Sequence, residues 1–122
     1  VREGMANYTH SRDDVTQALR RIEAVNVCYQ KYLATAPDDS FDVVYFDPLF
    51  QDPVEESHHM DLLRPMANME HLTLESIQEA ARVARRRVVV KDRREGPYAK
   101  SGWFDQVVGS HRSRICYGIL IP

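Results

Sequence analysis

The chain has two cysteines in 122 residues, Cys28 and Cys116, and they do not form a CxxC pair. That spacing argues against a zinc ribbon and against a disulfide-stapled scaffold. His58-His59 adds no metal site, because adjacent histidines point apart and no suitably spaced cysteine or third histidine follows; both read as solvated loop residues. Glycine is scarce, at five residues, and no G-x-G fingerprint occurs, which ranks a dinucleotide-dependent oxidoreductase low. No G-x-S-x-G elbow supports a hydrolase triad. No apolar run approaches the roughly 20 residues of a membrane span and no signal peptide is visible, so the expectation is a cytoplasmic chain without a membrane partner. Charge of one sign is also missing overall: the formal net charge of −2 carries no global nucleic-acid signature. A hydrophobic content of 43% and a charged content of 28% describe an ordinary globular chain of at most one domain.

What is present is unevenly placed. Residues 37–61 carry eight acidic side chains and no lysine or arginine, whereas residues 82–94 hold seven basic side chains against one aspartate. Between these charge blocks the most informative stretch is Phe41-Asp42-Val43-Val44-Tyr45-Phe46-Asp47-Pro48-Leu49-Phe50. Its unbroken apolar run from Val43 to Phe46 suits a strand buried on both faces, as in a parallel sheet covered by helices. Pro48 ends the hydrogen bonding and biases Asp47 toward an extended conformation. The Asp47 carboxylate is thereby expected at the carboxyl end of a central strand, where open α/β sheets keep their ligand crevices. Read alone, Asp-Pro after a strand is a turn starter.

The rest of the chain alternates helix and strand signals. Residues 2–8 read as the end of a helix, and Asp13 or Asp14 as the cap of a short helix through Leu19. Residues 20–27 alternate polar and apolar positions as a short strand does, and residues 29–34 make a brief helix closed by the Pro37-Asp38-Asp39-Ser40 turn. Residues 51–68 read as a long loop with a helical patch. Thr73 caps the clearest helix, with apolar positions at Leu74, Ile77, Ala80, Ala81 and Ala84, and Arg85-Arg86-Arg87 set as cations at its end. Val88-Val89-Val90 is a second buried strand, stopping at Lys91. Gly96-Pro97 starts a turn, residues 98–104 a short helix, and residues 106–109 and 113–120 the last two strands. The expected fold is α/β, a mostly parallel sheet with an antiparallel last strand. Trp103 and Phe104 read as core. Cys28 reads as a small buried hydrophobe, since no activating partner is nearby in sequence.

The strand, the Asp-Pro, the apolar spacer and the aromatic together resemble the Asp-Pro-Pro-Phe/Tyr motif of class I S-adenosylmethionine-dependent methyltransferases that modify exocyclic base amines. Arg21-Ile22-Glu23, the FDVVYFDPLF stretch and residues 80–91 (AARVARRRVVVK) resemble, in this order and spacing, the bacterial 16S ribosomal RNA guanine-N2 methyltransferase family, especially its Gram-positive branch. The resemblance implies a Rossmann-like sheet with a reversed last hairpin, S-adenosylmethionine as cofactor, and ribosomal RNA or the small ribosomal subunit as partner. It implies catalytic roles for Asp47 and Pro48, which accept the amine N–H bonds, and for Phe50, which stacks on the base. Cofactor contacts are implied at Cys28, Tyr29 and Asp47, although many such enzymes carry an acidic residue where Cys28 stands. Leu49 replaces the second proline and leaves the Pro48 carbonyl in place. Arg85, Arg86, Arg87, Lys91, Arg93 and Arg94 could form a phosphate-contacting rim.

The family's glycine-rich cofactor loop is absent from the 122 residues and is expected before Val1, so residues 1–122 read as the C-terminal portion of a single methyltransferase domain. Such a portion alone is expected to be inactive and prone to form a strand-swapped homo-oligomer through its unpaired edges. Two other functions remain open: an adenine-N6 methyltransferase, and a non-catalytic α/β domain that binds RNA or protein.

Overall fold

The computed structural model describes residues 1–48 and 71–122. In chain order its elements are α1 (Arg2–Asn7), α2 (Asp13–Arg20), α3 (Tyr29–Thr35), β1 (Phe41–Phe46), α4 (Leu74–Val83), β2 (Ala84–Arg93), β3 (Gln106–Val108) and β4 (Ile115–Leu120). The strands form one mixed sheet in the order β1-β2-β4-β3. β1 and β2 are parallel, while the last strand, β4, is inserted antiparallel between β2 and β3. The chain is thus α/β with only its last strand reversed, as the alternating helix and strand signals imply.

One face of this sheet is packed. α4 begins where Thr73 Oγ1 accepts the Ser76 backbone N–H at 3.2 Å, satisfying a donor that the first helical turn leaves over. Its inward stripe is Ser76, Ile77, Ala80 and Val83. These meet Leu33 of α3 and Ala84, Val88 and Val90 of β2 in two adjoining clusters, with Val44 and Phe46 of β1 packed against them. Burying each such branched side chain contributes about 1.5–3 kcal/mol. Arg82 fastens the two helices. Its guanidinium donates to the carbonyls of Leu33 and Ala36 at 2.8 and 2.9 Å and pairs with Glu79 and Asp38. Further along the sheet, Gly118 leaves room for Phe104, whose ring would lie 2.4 Å from any added Cβ.

Several expectations change. β1 is not buried on both faces: Val43 and Tyr45 are about half exposed, and its outer edge has no strand partner among the described residues. Residues 21–27 form no strand, and Ile22, Val25 and Val27 are exposed. Polar–apolar alternation marks a candidate strand, but the backbone needs a neighbouring ladder to receive its hydrogen bonds. Arg85, Arg86 and Arg87 do not end α4; the helix stops at Val83 and they already belong to β2, hydrogen-bonded beside β1. Ready-made ladder partners outweigh the modest helix preference of arginine. Leu74, assigned to the apolar stripe, points outward at 42% exposure. Residues 98–104 form turns and bends rather than a helix. There Asp92 accepts the Ala99 N–H, Tyr98 and Trp103 pack ring to ring, and Gly102 adopts a positive φ. The N-cap of α2 is Arg12, with Asp13 and Asp14 in its first turn. The loop expected over residues 51–68 lies outside the described residues, as do His58 and His59.

Candidate functional site

The parallel pairing of β1 with β2 sets the site. Register aligns Phe46 with Val90, so the next positions, Asp47 and Lys91, fall abreast at the carboxyl end of both strands. Side chains alternate across a strand, which puts this pair on the face opposite Phe46 and Val90. Lys91 Nζ lies 2.8 Å from Asp47 Oδ1. Across the other edge of β2, Lys91 is aligned with Tyr117 of β4, which in turn is aligned with Val108 of β3. One row across the open face therefore reads Asp47, Lys91, Tyr117, Val108, with Tyr45 next along β1.

The electrostatics of the row follow from its members. The Asp47 carboxylate bonded to Lys91 holds the ammonium above its ordinary pKa, against the opposing effect of partial burial; Tyr45 and Tyr117 add smaller contributions. The Tyr45 phenol is raised by desolvation first and by the Asp47 charge second, with Lys91 pulling the other way.

Behind the row stands a carboxylate that sequence reading passed over. Asp92 is 3% exposed and faces the packed side. Its two oxygens accept the Arg93 and Ala99 backbone N–H groups at 2.7 and 2.8 Å, so it shapes the turn that follows β2. Gly96 sits so close that a Cβ there would lie 2.1 Å from the Asp92 carboxylate. The Tyr98 hydroxyl of the same turn accepts the Leu72 N–H at 3.1 Å, tying the approach to α4 to this end of the sheet. The sequence signal was a lone acidic residue within the basic run Lys91 to Arg94.

The remaining predicted residues divide. Tyr29 lies on the packed face, behind the strand that leads to Asp47: its ring packs edge-on to Phe46 at 5.7 Å, and its buried hydroxyl has no hydrogen-bond partner among the described residues. Cys28 is exposed, not buried as expected, because it occupies the N-cap position of α3, and its thiol donates to Gln30 Oε1 at 2.8 Å. Cys116 is the buried cysteine, its thiol pushed up chiefly by burial. Pro48 follows Asp47 directly, and Phe50 lies outside the described residues. The six cations do not form one rim. Arg85 and Arg86 lie near Asp42 at 3.6 and 4.0 Å, at the amino end of β2. That is roughly 20 Å along the strand from Lys91. Arg87 is aligned with Val43, nearer that amino end. Lys91 and Arg93 share the carboxyl end, followed by Arg94, whose side chain donates to the Ser110 carbonyl at 2.8 Å. Among the described residues no group of three metal-ligating side chains occurs, and no helix is long and apolar enough to cross a membrane.

No family model matches the chain, and no solved structure does. It is similar to the uncharacterized protein YpiP of Bacillus subtilis (strain 168), at 36% identity over 120 residues. The match takes in 98% of this chain and 46% of that protein, so the chain spans about half the length of its relative.

Proposed function

We propose that these residues are the acceptor-binding part of a class I, Rossmann-like methyltransferase that uses S-adenosylmethionine and modifies an exocyclic base amine, with guanine N2 of cytoplasmic ribosomal RNA as the acceptor. The observation that carries the reading is the placement of Asp47-Pro48 directly after a strand in parallel pairing, at the carboxyl end of the sheet. The reversed last strand supports it further, since the resembled family has a reversed last hairpin.

The chemistry asks little of the protein beyond alignment. An exocyclic amine is a weak nucleophile because its lone pair is delocalised into the ring. Asp47 would accept one N–H and the Pro48 carbonyl the other, drawing the lone pair out of conjugation with the ring. When bound, S-adenosylmethionine would supply an electrophilic methyl group together with its sulfur leaving group. Asp47 would take up the proton that the amine gives up on methylation and pass it to water. Holding the amine in line supplies much of the acceleration, without a strong base. Tyr29 fits the cofactor's flank, having an orphaned buried hydroxyl beside the strand that leads to Asp47. Cys28 would contribute through its backbone, because its thiol is engaged with Gln30. The shortened basic rim at Arg93 and Arg94 would meet RNA phosphates beside the acceptor.

Calorimetric titration of S-adenosylmethionine into this chain and into full-length YpiP tests the reading. Binding by the longer protein, with RNA methyl transfer that loses about 10²- to 10³-fold when the acid matching Asp47 is replaced by alanine, is the expected result. Binding by neither would sink it. Adenine N6 presents the same two N–H donors, and transfer to adenine-bearing RNA or DNA would redirect the acceptor. One observation favours a non-catalytic α/β domain that binds RNA or protein: Asp47 already has a partner in Lys91. Undiminished RNA binding without cofactor binding would select it.

A further inference from the structure

We propose that Lys91 is a positioning residue, one that pins the Asp47 carboxylate so that a single oxygen is presented to the incoming base amine. The proposal rests on the methyltransferase reading above. Sequence reading grouped Lys91 with phosphate-contacting cations, and the geometry points elsewhere.

Lys91 is seated by the sheet itself. Its backbone is paired near the carboxyl end of β2, aligned with Tyr117 on one side and one step beyond the Phe46–Val90 pair on the other. Its side chain is 28% exposed, whereas that of Asp47 is 53% exposed. The lysine is the enclosed partner and the acid the open one. An enclosed ammonium already bonded to a carboxylate is badly placed to reach an RNA phosphate. It is well placed to hold Oδ1 and leave Oδ2 facing outward.

That arrangement solves a problem the chemistry poses. A carboxylate free to turn about its Cβ–Cγ bond offers two equivalent oxygens over a range of angles. The amine needs two acceptors at fixed spacing, one from Asp47 and one from the Pro48 carbonyl. A bond from Lys91 to Oδ1 at 2.8 Å restrains that rotation and leaves Oδ2 as the oxygen to accept the amine N–H beside the Pro48 carbonyl. The ammonium is charged at neutral pH as any lysine is, and its bond to Asp47 raises its pKa further, with Tyr45 and Tyr117 adding to the effect. Lys91 touches neither the base nor the reacting atoms.

The test uses the full-length protein with Lys91→Met, Lys91→Arg, Asp47→Asn and the Lys91→Met/Asp47→Asn double variant, each checked for cooperative unfolding. Lys91→Met should lower kcat about 10- to 100-fold, the scale of a small misplacement of reacting groups. The KM for RNA should stay within about twofold, which separates lost alignment from lost uniform binding. Lys91→Arg should recover most of the rate. In the Asp47→Asn background, Lys91→Met should cost nothing more, because both changes break one unit. A second readout needs neither cofactor nor turnover: anisotropy of a short RNA carrying guanosine, against the same strand with inosine, which lacks the amine. The preference for guanosine should fall in Lys91→Met, and this measurement stands if Lys91→Arg is the better-folded variant. A raised KM with intact kcat would return Lys91 to phosphate contact and overturn the proposal, as would additive losses in the double variant. Full kcat in Lys91→Met of an active protein defeats the Lys91 role alone. Absence of methyl transfer by the unsubstituted protein overturns the underlying reading instead.

Discussion

The two ends of the β1–β2 pair carry the same kinds of residue in different states. At the amino end, Asp42 lies 3.6 and 4.0 Å from Arg85 and Arg86, and all three side chains are more than half exposed. At the carboxyl end, Asp47 and Lys91 meet at 2.8 Å, flanked by Tyr45 and Tyr117 and backed by buried Asp92. The first arrangement is what opposite charges do on a solvated surface, where they contribute little. The second is held by strand register and by a shaped turn. The arginine cluster gives the amino end more charge, yet the closer and better enclosed pair is at the carboxyl end, where Asp47-Pro48 placed the candidate site.

The sharpest way to break this comparison is to exchange the acids. Asp47→Ala is expected to reduce methyl transfer by about 10²- to 10³-fold, on the scale of losing one oriented hydrogen-bond group. Asp42→Ala should leave transfer within about twofold; equal losses in a methyl-transfer assay would erase the distinction between the ends. Next in size are stability effects confined to the carboxyl end. Asp92→Ala strands two part-buried N–H groups, those of Arg93 and Ala99, and should lower unfolding free energy by about 1–3 kcal/mol in urea melts. Gly96→Ala forces a methyl into the Asp92 carboxylate and should cost a similar amount, about 1–3 kcal/mol.

The pH response gives a smaller, directional difference. Because the folded pKa of Lys91 is raised above its ordinary value, the pair's stabilisation is fully present below about pH 10 and is lost as pH climbs through the raised value. Melts from about pH 9 to about pH 12 should show a loss in the parent that is reduced in Lys91→Met. The raised Tyr45 phenol titrates in the same window, so the variant serves to isolate the ammonium. The smallest effect is expected at the other end: Arg85→Gln with Arg86→Gln should move Tm by about a degree or less. A larger fall would mean that the loose pairs matter more than their geometry implies.

Much of the frame was legible. Thr73 followed by Ser76 announced a helix start, the run from Val43 to Phe46 announced β1, and Asp47-Pro48 marked its end. Those are local signals, carried by capping, β-branching and the missing proline donor. The partnership of Asp47 with Lys91 was not legible, because it depends on the register between strands 44 positions apart. Arg82 was only one cation of the basic block and proves to be a clamp on the Leu33 and Ala36 carbonyls, which no spacing rule reveals. The alternation of residues 21–27 misled for the opposite reason: the pattern was there and the neighbouring ladder was not. Cys28 was misplaced because apolar character was read as burial, while its position as a helix cap puts it in solvent.

The insertion of the last strand between β2 and β3 has a consequence for how the chain is made. β3 is synthesised before β4, yet β4 is its link to the sheet among the described residues. As the protein leaves the ribosome, Gln106–Val108 must wait as an unpaired segment until Ile115–Leu120 emerges and joins both strands at once. The Ile121 N–H then donates to Asp105 at 2.7 Å, fastening the closing strand to the entrance of β3. A chain without Ile115–Leu120 would therefore lose two strands for the omission of one, and would expose the β2 edge beside Lys91.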